Sequence, residues 1–221
     1  MTTSRALFAV SAATSLTFLL ARPLTPADWP VIFKVLSILL LAALGFRAHG
    51  LLGCALSLSA LGDFLLGVRR LASLDRESLF LLGLGAFLIA HLFYIALFHK
   101  YRVPFWWKPA ARVWGVLTIL CALGTVFAIL QPSLGSLLIP VAVYSLVLSG
   151  MGIGAMLADL GTPLAGFGAL LFIASDAMLA INKFHGPFPG YEPLIWIAYY
   201  SAQCLILLGV VRRHTREPWT P

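Results

Sequence analysis

Apolar runs of about twenty residues recur along the chain, separated by short polar or proline- and glycine-bearing breaks. They fall at about 5–21, 29–46, 51–67, 79–98, 112–130, 135–157, 163–182 and 192–211. A helix of about 20 residues crosses the hydrocarbon core of a bilayer, so the pattern predicts eight transmembrane helices. The runs do not show the ten-residue alternation of a membrane β-barrel. Turn chemistry marks the breaks. Pro23 and Pro26 end the first run, 47–50 is a short polar hinge, and 69–78 is charged. Prolines, tryptophans and cations fill 100–112; 131–133 and 159–163 are tight; 186–193 is rich in Gly and Pro. With no long linker and no internal repeat, residues 1–221 read as one all-α integral-membrane domain, a single bundle of eight helices.

Composition strengthens this reading. The 221 residues are 61% hydrophobic and 10% charged, more apolar surface than a soluble domain of this size can bury. The net charge of +7 then becomes a topology signal rather than a nucleic-acid signal. Arg5, Arg47, Lys100, Arg102, Lys108, Arg112, Arg212, Arg213 and Arg216 lie on one side of the expected bundle. They outnumber Arg22, Arg69, Arg70, Arg76 and Lys183 on the other. The excess places both termini in the cytoplasm. Trp106 and Trp107 beside Lys108 read as an interfacial belt. The first run lacks a clear cleavage site and reads as a span, not a signal peptide. Cys54, Cys121 and Cys204 each fall inside a run, with no metal-binding or disulfide spacing, and read as small residues between helices.

Chemistry enters with two carboxylates. Of the eight acidic residues, Asp63 and Asp176 alone lie deep in apolar runs. An ionisable group at that depth costs roughly 3 kcal/mol on insertion scales and is a functional candidate by default. At 1.5 Å per residue, both lie about 6 Å to the outer side of their helix midpoints. Lys34 sits about a turn above them, and Tyr144, Tyr199, Tyr200 and Gln203 within about two turns. His91 and Tyr94 are somewhat deeper, and Asn182 and Lys183 cap the seventh run. The cost of facing lipid argues that the charged members turn inward. Two carboxylates in one low-dielectric site split their proton affinities, which suits one general acid and one general base. Asn182 and Lys183 on its own helix lean toward Asp176 as the charged member, and the apolar neighbours of Asp63 toward Asp63 as donor, but the sequence leaves the acid and base unassigned. The competing readings are structural: a polar clamp for the aspartates, snorkelling for Lys34, packing for His91 and the tyrosines.

These residues sit in recognisable motifs. LGDFLL around Asp63, FLIAHLFY around His91, LLFIASDAMLAINKF around Asp176 and YYSAQCLI at Tyr199 resemble the YhhN-like family, whose vertebrate members are the TMEM86 lysoplasmalogenases. Lys34 and Tyr144 also fall where that family has a lysine and a tyrosine. The likeness covers about residues 30–210. It implies eight membrane helices, a bacterial inner-membrane location and hydrolysis of the vinyl ether bond of lysoplasmalogens. The products are a fatty aldehyde and glycerophosphoethanolamine or glycerophosphocholine. It implies no metal or organic cofactor, with Asp63 and Asp176 catalytic. Lys34, His91, Tyr94, Tyr144, Asn182, Lys183, Tyr199, Tyr200 and Gln203 are the expected substrate-binding set. The partners are a lysophospholipid and the bilayer, with no nucleic acid and the oligomeric state open.

The reaction fits the residues. Proton delivery to the alkene carbon leaves an oxocarbenium ion, water adds, and the hemiacetal collapses. That sequence takes a neutral acid, a carboxylate near the positive charge and a base for water. A lysolipid can enter sideways and meet Lys183, Lys34, Arg69 or Arg70 with its phosphate. Beside a purely structural or sensory membrane protein, two further rivals remain at this stage. One is a metal-dependent lipid hydrolase, although His91 alone among the histidines lies clearly inside a run and a cage is hard to build. The other is a small proton-coupled transporter, which usually shows internal repeats.

Overall fold

A computed structural model describes residues 2–25, 28–69, 71, 73–102 and 110–214. Among them are eight α-helices: α1 Thr2–Ala21, α2 Val31–Ala48, α3 Gly50–Gly67, α4 Arg76–Lys100, α5 Ala110–Leu130, α6 Leu138–Leu157, α7 Leu164–Phe184 and α8 Tyr191–His214. All eight carry a window long and apolar enough to cross a membrane. The chain is an all-α, multi-pass integral membrane protein. Helix ends agree with the apolar runs to within a few residues. Trp106, Trp107, Lys108, Arg70 and Arg216 lie outside the described residues. Contacts group the helices into two compact units, Met1–Tyr94 and Ile95–Pro221.

The first unit is built on the α2–α3 hairpin. Its hinge is a single residue: His49 adopts extended backbone, its N–H donates to the Gly45 carbonyl, and its Nδ1 accepts from the Leu51 N–H at 3.2 Å. So short a link leaves the register little freedom. Small residues complete the fit, since a Cβ on Gly45 would lie 3.1 Å from the Gly53 backbone nitrogen. At the far end, a Cβ on Gly67 would meet Val31. Asp28 ties the open end, its Oδ2 accepting from the Arg69 N–H at 2.9 Å and its Oδ1 3.4 Å from the Arg69 guanidinium. α1 docks on α2 through the buried Ser11 hydroxyl, which donates to the Ser37 carbonyl at 2.8 Å.

The start of α4 is capped by Asp75. Its Oδ1 accepts the Ser78 N–H at 2.7 Å, and its carbonyl accepts from Leu79. The bonds from Ser78 hold the Asp75 carboxyl below the ordinary aspartate value. A depressed folded value contributes stability above the unfolded value, and that contribution is lost as pH falls through the folded one. Asp75→Ala is therefore expected to speed amide exchange at Ser78 near neutral pH. The difference from wild type should vanish in acid; a difference that persists there rules out the capping account.

In the second unit α7 and α8 form the closest pair. A Cβ on Gly168 would lie 2.8 Å from the Ala202 carbonyl, and one on Gly209 would lie 3.0 Å from the Ala165 nitrogen. Glycine here lets two backbones touch. Gly150, Gly152 and Gly154 on α6 instead face the side chains of Ile95, Ile173 and Phe98. Between α6 and α7 the chain turns at Asp159, whose Oδ1 accepts the N–H of Gly161, a residue at φ 67°. That left-handed geometry suits glycine. α6 buries Val141, Tyr144 and Leu148 and exposes Ile139, Val143 and Leu146, one face inward and one toward lipid. The cysteines are all free; Cys121 is exposed on its helix rather than packed between helices, while Cys54 and Cys204 are half-buried.

Candidate active site

The hairpin register explains the first feature of the site. Lys34 on α2 and Asp63 on α3 lie at nearly equal chain distances on either side of His49. Antiparallel packing from a one-residue hinge brings them level. The Lys34 Nζ stands 2.9 Å from the Asp63 Oδ1, with Asp63 2% exposed and Lys34 19%. Lys34 therefore reaches inward to a buried anion instead of snorkelling. One turn along α2, the Ser37 hydroxyl donates to the Lys34 carbonyl at 2.7 Å. This chain of hydrogen bonds links α1 to the backbone that carries the lysine.

Sequence neighbours alone pointed to Asp63 as the proton donor. The ion pair sets an ammonium 2.9 Å from that carboxyl group. The counter-charge comes from a facing helix, which near-neighbour reasoning along α3 cannot see.

Also in the first unit, α4 lies antiparallel to α3. Phe87 faces Gly62, and Leu66 faces Gly83. One turn further along each helix, that register puts His91 level with Leu58 and Ser59. His91 and Tyr94 are both fully buried. Ser59 was not among the residues that the sequence motifs single out, yet it is fully buried as well. Its i, i+4 spacing from Asp63 is the signal that would find it.

In the second unit the Tyr144 hydroxyl, from α6, donates to the Asp176 Oδ2 on α7. Tyr144 is buried and Asp176 half-buried. Ser175, next to Asp176, donates its hydroxyl to the Ile195 carbonyl at 3.2 Å and so ties α7 to α8. Asn182 is half-buried and Lys183 exposed at the end of α7. Tyr199 packs edge-on against Phe172 with ring centroids 5.3 Å apart, and Trp196 lies against both Tyr199 and Tyr200. Gln203 is fully buried. Among the described residues no three His, Cys, Asp or Glu side chains gather as a metal site requires.

Each unit thus gives one carboxylate a partner of its own: a cation for Asp63, a phenol for Asp176. The two are chemically unequal. One faces a lysine ammonium, and the other accepts a hydrogen bond from a tyrosine hydroxyl.

Similarity to known proteins converges on the same segments. Residues 29–210 match the YhhN family. A lysoplasmalogenase from Mycobacterium tuberculosis is 40% identical over 162 residues, 70% of this chain and 58% of its own. The human lysoplasmalogenase TMEM86B is 36% identical over 162 residues, covering 73% and 64%. The rat lysoplasmalogenase TMEM86B is 31% identical over 208 residues, covering 90% and 81%. The match thus spans only 58% and 64% of the lengths of the mycobacterial and human relatives. No solved structure matches. The matched region runs from just before α2 into α8 and carries Lys34, Asp63, Tyr144 and Asp176 together; the chain belongs to the YhhN family.

Proposed function

We propose that this protein hydrolyses the vinyl ether bond of lysoplasmalogens, giving a fatty aldehyde and a glycerophospho-alcohol. Kinship with lysoplasmalogenases supports the reaction. The buried Lys34–Asp63 ion pair is the observation that carries the mechanism, since a fixed anion inside the membrane suits a reaction that develops positive charge.

In this mechanism Asp176, hydrogen-bonded by Tyr144, is protonated and delivers its proton to the alkene carbon. Positive charge then spreads over the adjacent carbon and the ether oxygen. Asp63, held ionised by Lys34, stabilises that charge and takes a proton from the attacking water. The hemiacetal hydroxyl returns its proton to Asp176, and Asp63 gives its proton to the departing glycerol oxygen. Aldehyde and alcohol leave, and both carboxyls are reset. No nucleophilic side chain and no metal takes part. Lys183 and Arg69, exposed or half-exposed at helix ends, are the cations offered to the phosphate.

The test is lipid mass spectrometry after purified protein meets a panel of acyl, alkyl and alkenyl lysophospholipids. Only alkenyl species should be consumed, with aldehyde formed, and EDTA should leave the rate unchanged. Consumption of acyl species instead, or activity lost in EDTA and restored by zinc, rejects the reading. We also place the protein in a bacterial inner membrane with both termini cytoplasmic, from the cation excess. A reporter fused after Pro221 should read as cytoplasmic; a periplasmic signal reverses the orientation.

A further inference from the structure

Ser59 lies one turn before Asp63 on α3, so the two share a helix face. It is fully buried, and among the described residues its hydroxyl meets no hydrogen-bond partner. A serine inside a helix has a ready alternative, donation to the carbonyl one turn earlier. Ser57 on the same helix takes it, donating to the Gly53 carbonyl at 2.9 Å, and Ser149 on α6 does so to Ser145 at 2.7 Å. Ser59 does not. A buried polar group that declines its local partner marks a place for a bound water or ligand group.

The surroundings point to water. Helical side chains lean toward the N-terminus, so the Asp63 carboxylate inclines toward the turn that carries Ser59. The α3–α4 register sets His91 at the same level across the helix pair. A water needs two to four polar partners to be held in a protein interior, and this turn offers a carboxylate, a hydroxyl and an imidazole.

Resting on the reaction given above, we propose that Ser59 holds the attacking water against Asp63. The water donates one O–H to the Asp63 carboxylate and the other to the Ser59 Oγ, which leaves an oxygen lone pair for the cationic carbon. As the new C–O bond forms, the proton shared with Asp63 passes to the carboxylate. The oxocarbenium π electrons return to the ether oxygen, and a neutral hemiacetal results. Holding the water in this way keeps other small nucleophiles from competing for the cation.

The experiment measures product partitioning in methanol–water. Methanol adding in place of water gives a stable mixed methyl acetal, and its share reports on the attacking nucleophile whichever step limits the rate. Wild type should yield almost only aldehyde. Ser59→Ala should raise the mixed-acetal share about tenfold, the scale of one lost hydrogen bond, and Ser59→Thr, which keeps the hydroxyl, should stay near wild type. The thermal midpoint of Ser59→Ala should not fall, since it loses a hydroxyl with no protein partner. An unchanged partition in Ser59→Ala, with wild type active, overturns the role of Ser59 and leaves the reaction standing. A lowered midpoint makes the hydroxyl a structural group and overturns the role as well. A wild type that forms no aldehyde overturns both the reaction and the inference.

Discussion

Asp63→Asn and Asp176→Asn should each lower vinyl ether turnover by about 10²-fold or more, the usual scale for an acid–base group. Both substitutions keep side-chain shape while removing the titrating oxygen. The two losses have different origins. Asparagine at 176 has no proton of suitable acidity to give the alkene carbon. Asparagine at 63 cannot carry the charge that faces the cation, and it leaves the Lys34 ammonium without its anion. Because the two groups serve consecutive steps of one proton circuit, the double variant should lose less than the two single free-energy effects together. The pH–rate profile of wild type should be bell-shaped, its limbs belonging to the pair rather than to either aspartate. Rates are to be taken per folded protein. Either variant turning over alkenyl lysolipid at the wild-type rate sinks the two-carboxylate mechanism.

Lys34→Met should destabilise the protein by about 3 kcal/mol or more, because it strands a buried carboxylate without its cation. Methionine keeps the length and apolar stem of lysine, so packing along α2 changes little. Lys34→Met/Asp63→Leu should regain most of the stability, since replacing both members of a buried ion pair by apolar residues is often neutral or better. That double variant should stay inactive. Thermal unfolding in detergent, with turnover measured alongside, separates these outcomes. A Lys34→Met protein as stable as wild type contradicts the ion pair described here.

The eight helices were legible because membrane insertion imposes a length and a composition that no packing detail can mask. Their ends shifted by a few residues where capping intervened, as at Asp75 before α4. The aspartates were legible for a related reason, since a carboxylate in an apolar run stands out. What the sequence hid were contacts between helices. Lys183 and Asn182 are near Asp176 along the chain, yet a tyrosine from α6 donates a hydrogen bond to it. Asp63 has apolar neighbours along α3 and a lysine from α2 in space. The second contact follows from the one-residue hinge at His49, but only once that hinge is known to be a single residue. Glycines crowd α6 at Gly150, Gly152 and Gly154, yet these face side chains, and in the second unit helix backbones meet at Gly168 and Gly209 instead. Ser59 was invisible because serine is common in membrane helices and usually satisfies itself one turn back.

The central claim, carbon protonation of a vinyl ether, is tested most directly by running the reaction in D₂O. Purified protein is incubated with an alkenyl lysophospholipid, the aldehyde is trapped by reduction, and its mass and deuterium position are read. Delivery of a solvent-derived proton to the alkene carbon predicts one deuterium at C2 of the aldehyde, with release of the glycerophospho-alcohol. Aldehyde without deuterium at C2, or no aldehyde from the alkenyl substrate at all, contradicts the account.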